Sequence, residues 1–153
     1  MRLALFICTF GYVGYAPVAP GTFGSAAGLV VFYAVRGAES AALEVAVIVA
    51  LFATGVWAGT HAEHHFGGVD PGPIVLDEVV GMLITLFLLP VNLSGAIVAF
   101  AVFRVLDVIK PFPSARFEKL PGGLGVMADD GMAAIYGNLL MRGLLAVAPG
   151  WLS

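Results

Sequence analysis

The segment from Ala41 to Ala62 carries a single carboxylate, Glu44, near its start and a histidine, His61, near its end; the rest is almost wholly apolar. A helix that is apolar all round must bury itself in protein or lipid, so this run constrains the whole chain. At 22 residues it also reaches the roughly 20 that a bilayer span requires. The rest of the sequence agrees with it. Hydrophobic residues make up 60 % of the chain and charged residues 11 %, against about 45–50 % and 25 % in an ordinary soluble domain. The length, 153 residues, suits one domain, 1–153, with no repeat and no low-complexity linker.

Four further apolar segments can be drawn, at 25–36, 74–89, 94–110 and 129–148. All lean helical on length, Ala/Leu content and terminal Gly/Pro stops. Of these only 129–148 also approaches spanning length. Pro90 argues against a central strand in the apolar stretch 86–91. The connections, such as 15–25, 70–73, 111–113 and 121–125, are short and rich in Gly and Pro. The expected fold is all-α: a compact, membrane-embedded bundle of about five to six short helices with Gly/Pro-rich loops. Arg2 precedes a short apolar run, but no convincing small-x-small cleavage site follows, so the N-terminus is read as part of the fold. The lone cysteine, Cys8, lies in that run and is expected to be buried, with a raised pKa.

A net charge of −3 argues against a nucleic-acid partner. More informative is where the charges fall. All five aspartates (Asp70, Asp77, Asp107, Asp129 and Asp130), together with Glu63 and Glu78, sit at boundaries between apolar runs and loops, whereas Glu39, Glu44 and Glu118 read as ordinary interfacial or solvated acids. An ionisable group at membrane depth costs at least about 2.5–3.5 kcal/mol on insertion scales, so acids in such a chain need cations or a metal as partners. Hard divalent cations such as Mg²⁺ take oxygen ligands, and two adjacent acid pairs plus Asp107 offer enough for one or two ions. The plain alternative for Asp129-Asp130 is the positive end of a helix dipole.

Arg104, Asp107 and Lys110 stand at i, i+3 and i+6 and share a helical face, as an ion-pair stripe or as a metal ligand flanked by phosphate-binding cations. Pro111 stops that helix directly after Lys110. The segment 19–25 could cradle an anion through backbone N–H groups and the hydroxyls of Thr22 and Ser25, or could be a turn with an ordinary cap. It lacks the Gly-Lys-Ser/Thr of a P-loop. His61 and His65 have the i, i+4 spacing of a zinc pair, but also suit the water-facing end of a spanning helix. Cys-x5-Arg, Gly-x-Ser-x-Gly and Asp-x-Asp are all absent, which leaves bound water as the expected nucleophile.

Four blocks in order carry a family resemblance. They are Ala19-Pro20-Gly21-Thr22-Phe23-Gly24-Ser25, Asp70 through Ile74-Val75-Leu76-Asp77-Glu78, Phe103 to Pro113, and Gly122 to Asp130. Together they resemble bacterial phosphatidylglycerophosphatase A. One departure is Leu76, where an aromatic often precedes the Asp-Glu pair, and another is the proline-rich turn Pro71-Gly72-Pro73. The resemblance implies an integral inner-membrane, all-helical enzyme that removes the terminal phosphate of phosphatidylglycerophosphate with Mg²⁺. On that reading Asp77, Glu78, Asp107 and Asp130 are the first choices for metal ligands and catalysis, with Glu63, Asp70 and Asp129 as second choices. Lys110 joins the catalytic set and, with Arg104, Thr22 and Ser25, binds the phosphate of an anionic phospholipid. The polar site is expected to face the cytoplasm, and the sequence leaves a homo-oligomer open. Two readings from other classes are an acid-lined membrane transport protein and a helical nucleotide phosphohydrolase.

Overall fold

A computed structural model describes residues 1–68 and 71–153. Among the described residues the chain is helical with no strand, as its apolar pattern implied. The helices are α1 (Arg2–Cys8), α2 (Pro20–Arg36), α3 (Ala41–Phe66), α4 (Leu76–Thr85), α5 (Leu93–Ile109), α6 (Ser114–Phe117), α7 (Gly123–Val147) and α8 (Pro149–Leu152), with a 3₁₀ turn at Val13–Tyr15. The expected five to six helices are therefore eight. The five apolar segments became α2, α3, α4, α5 and α7, and the surplus is α1, α6 and α8. Those pieces have four to seven residues, too few for a hydrophobic period to show. Nor are the main helices uniformly short: α3 has 26 residues and α7 has 25.

Local chemistry sets the ends. Ser40 caps α3 by accepting from the Leu43 N–H at 3.1 Å, and Asn92 caps α5 by accepting from the Gly95 N–H at 2.8 Å. Gly67 closes α3 with a left-handed backbone, φ 76°. Lys110 closes α5 in the same conformation, φ 49°, because the following Pro111 disfavours a helical residue before it.

The short helix α4 lies at the centre, packed by α2, α3, α5 and α7. Eight of its ten residues are buried. Close approach depends on missing side chains. A Cβ on Gly28 would fall 2.7 Å from the Met82 Cβ, and one on Gly81 would fall 2.3 Å from the Phe103 ring. Below the N-terminal turn of α4 an apolar core of Phe32, Met82, Leu83, Leu86, Leu89, Phe103 and Met141 packs together, and the buried Thr85 hydroxyl donates back to the Gly81 carbonyl at 2.8 Å. The C-terminal carbonyls of α4 are tied off by side chains. Arg36 donates to the carbonyls of Leu89 and Leu86 at 2.6 and 3.2 Å while pairing with Glu44. Asn138 donates to those of Ile84, Thr85 and Phe87 at 3.0–3.1 Å.

Cys8 is buried, and burial pushes its thiol up to about 11. The outside of the bundle is apolar. Leu43, Val45, Val49 and Trp57 of α3, Ile97, Val105 and Val108 of α5, and Ile135, Leu139 and Leu140 of α7 are all exposed. Among the described residues α3 alone is long and apolar enough to cross a membrane, and only 17 % of its apolar window is buried by the rest of the chain. The run at 129–148 does not meet that test.

Candidate active site

Three helices bring carboxylates to one end of the bundle. Asp77 and Glu78 occupy the first turn of α4, where the helix dipole favours negative charge. Asp107 lies in the last turn of α5. Asp129 and Asp130 are the seventh and eighth residues of α7, which begins at Gly123. That position corrects the expectation that they open a helix. Two turns inside α7 they gain little from its dipole, which acts within the first turn, so their burial needs another explanation.

Asp77, Asp107, Asp129 and Asp130 are 2 %, 8 %, 0 % and 1 % exposed. Their carboxylates and that of Glu78 form two groups of three. One is Asp77, Asp129 and Asp130; the other is Glu78, Asp107 and Asp130. Within each, one oxygen per residue lies within 4.8 Å of the others. Two cations answer them. Arg104 donates to Asp107 at 2.5 Å and lies 4.0 Å from Glu78. The Lys110 Nζ reaches Asp129 at 2.8 Å, Asp107 at 3.3 Å and Asp130 at 3.4 Å. Burial alone would lower the pKa of Lys110, but Asp130, Asp129 and Asp107 outweigh it and raise the ammonium above its ordinary value.

The cations do not satisfy every acceptor. Glu78 Oε2 and Asp130 Oδ2 are buried with no hydrogen-bond partner. A buried carboxylate oxygen left so is costly. These two belong to one group of three, and an all-oxygen donor set suits a hard divalent cation. By donor type, charge and unmet acceptors the residues fit Mg²⁺.

The structure gathers Asp77, Glu78, Arg104, Asp107, Lys110, Asp129 and Asp130. Asp129, ranked behind the others from sequence, is as buried and as close as they are. Glu63 is half-buried in the last turn of α3 and belongs to neither group. Asp70 lies outside the described residues. The expected loop at 19–25 is instead the start of α2, since Pro20 at its first position needs no N–H partner. Thr22 is exposed there, and the buried Ser25 hydroxyl donates back to the Gly21 carbonyl at 2.9 Å. Ser25 therefore turns along its own helix.

Sequence reading missed the part played by Gly21: a Cβ there would stand 3.0 Å from Glu78 Oε1 and 3.1 Å from the Arg104 guanidinium. The available signal was the spacing of Gly21, Gly24 and Gly28 on one helical face. Glu118 keeps a partly exposed side chain, as its reading as an interfacial or solvated acid implied, with its Oε1 3.8 Å from the Lys110 ammonium, whereas Glu44, read the same way, is buried and paired with Arg36. His61 and His65 are exposed, with the His61 Nδ1 2.9 Å from the Trp57 carbonyl, and neither belongs to a metal-competent group among the described residues.

An all-helical chain with an apolar exterior and a buried, cation-flanked acid cluster at one end defines a class: helical proteins whose polar chemistry is gathered at one end of an apolar bundle. Within that class the chain belongs to the phosphatidylglycerophosphatase A family, whose pattern matches residues 6–145. It is therefore a phosphatase, a phosphoric monoester hydrolase. It is 36 % identical over 135 residues to a proposed phosphatidylinositol-3-phosphatase of Bacteroides thetaiotaomicron, covering 84 % of each chain. It is 36 % identical to proteins named phosphatidylglycerophosphatase A from Haemophilus influenzae, covering 80 % of this chain and 77 % of that one, and from Escherichia coli, covering 80 % and 72 %. No solved structure matches the chain.

Proposed function

We propose that this protein is a membrane-embedded, Mg²⁺-dependent lipid phosphatase that hydrolyses phosphatidylglycerophosphate to phosphatidylglycerol and inorganic phosphate. The observation that carries the proposal is the buried acid cluster with unmet acceptors, flanked by Arg104 and Lys110. The names of the Haemophilus and Escherichia relatives supply the head group.

Asp77, Glu78, Asp107, Asp129 and Asp130 would hold the divalent cation. The chemistry it supplies when bound is charge withdrawal from the phosphate and a lowered pKa for an attacking water. Arg104 and Lys110 offset the phosphate's negative charge. A water oxygen bonds to phosphorus, a carboxylate of the cluster takes one of its protons, and the bond from phosphorus to the glycerol oxygen breaks. The departing glycerol oxygen takes a proton from that carboxylate or from water and becomes the new hydroxyl.

The exposed apolar faces of α3, α5 and α7 support a bilayer setting in which α3 crosses, and the acyl chains then stay in lipid while the head group enters. Arg104, Lys110, Arg116 and Lys119 cluster in one stretch of the chain, which favours the cytoplasmic side of the bacterial inner membrane for the site.

The test is phosphate release from a panel of phosphatidylglycerophosphate, phosphatidylinositol 3-phosphate and nucleotides, with Mg²⁺ and then with chelator. Release from phosphatidylglycerophosphate, lost on chelation, is expected. Chelator-resistant hydrolysis would remove the metal from the proposal, and a preference for nucleotides would remove the lipid.

A further inference from the structure

We propose that the acid cluster holds two divalent cations and that Asp130 bridges them. This rests on the reading of the cluster as a cation site and goes beyond it in number and in the part given to Asp130.

The geometry comes from how the acids divide. Neighbouring residues on a helix point about 100° apart, and Asp77-Glu78 on α4 divide accordingly: Asp77 belongs only to one of the two groups already described and Glu78 only to the other. Asp129 on α7 joins the first group and Asp107 on α5 the second. Asp130 alone is common to both. A bridging carboxylate must offer an oxygen to each side. Asp130 Oδ1 is 3.4 Å from the Lys110 ammonium, which touches both groups, sitting 2.8 Å from Asp129 and 3.3 Å from Asp107. Oδ2 is buried with no hydrogen-bond partner, as is Glu78 Oε2 of the second group.

Charge points the same way. Six carboxylates, Glu118 included, face Arg104 and Lys110. One divalent ion leaves the cluster net negative and repels a phosphate monoester; a second brings it to neutrality. Two cations sharing a carboxylate are a recurrent arrangement for phosphoryl chemistry, at separations of roughly 3.5–4 Å.

The test uses Mn²⁺ as the probe on the full chain in detergent micelles. Equilibrium dialysis counts bound ions, and low-temperature electron paramagnetic resonance reports whether they are coupled. Two Mn²⁺ per chain with an exchange-coupled spectrum are expected. Asp77→Asn and Glu78→Gln should each retain one ion with the six-line spectrum of isolated Mn²⁺, while circular dichroism checks that each variant keeps its helices. One ion per wild-type chain, or two with uncoupled spectra, overturns the bridge; if phosphate release in the same sample still needs the metal, the proposed function stands. No binding, together with release that survives chelator, overturns both.

Discussion

At the scale of single residues the site is a balance of charges that have left bulk water. Asp107 is its hinge point, since it receives both cations: Arg104 at 2.5 Å and Lys110 at 3.3 Å. Replacing it by Asn keeps the shape and removes the charge. Asp107→Asn should lower phosphate release by more than the roughly 10–100-fold that loss of an outer partner costs a metal site. Steady-state release assays, with circular dichroism to confirm the helices, check this; near-normal turnover would take Asp107 out of the site. The residue types were legible in the sequence. Acids are so scarce in this chain that nearly every one at a helix boundary was a candidate, and Asp77, Glu78, Asp107, Asp129 and Asp130 do converge. Rank was not legible, because Asp129 and Glu63 look alike until the fold buries one fully and leaves the other at the rim of α3.

At the scale of elements, both misread boundaries share a cause. The sequence reads 15–25 and 121–125 as loops because Gly and Pro punctuate them, yet α2 begins at Pro20 and α7 at Gly123. Glycine serves two ends, turning a chain and letting backbones touch, and one letter cannot tell which. Gly123 does the second: a Cβ there would fall 2.1 Å from the Val56 carbonyl of α3. Gly81 does the same in the middle of α4. Gly81→Ala gains about 1 kcal/mol of helix propensity. It also drives a methyl into the fully buried Phe103 ring, and overpacking of that kind costs about 1–3 kcal/mol. Two ring atoms lie within 2.5 Å of the added Cβ, so the clash wins. The variant should unfold at a lower temperature in a thermal melt in detergent, and an unchanged or raised midpoint would show that α4 and α5 have more room than their packing implies.

At the scale of the whole molecule, the exterior is apolar where a water-soluble protein would be charged. Trp57 reports on this, being 47 % exposed on α3. With Trp151→Phe removing the other indole, Trp57 fluorescence in vesicles should be quenched by lipids brominated along their acyl chains and spared by aqueous iodide; the reverse would put α3 in water. The inner architecture has a consequence of its own. Helix α4 spans only about 15 Å. Its far end is stoppered by Arg36 and Asn138, and the apolar core centred on Phe103 and Met82 fills the space beneath the acids. The site is thus closed on its inner side. On the proposed function, water would enter and phosphate leave on the side where the head group binds, so the phosphate set free would return to the compartment from which the head group came, and catalysis would move no solute from one face of the bilayer to the other.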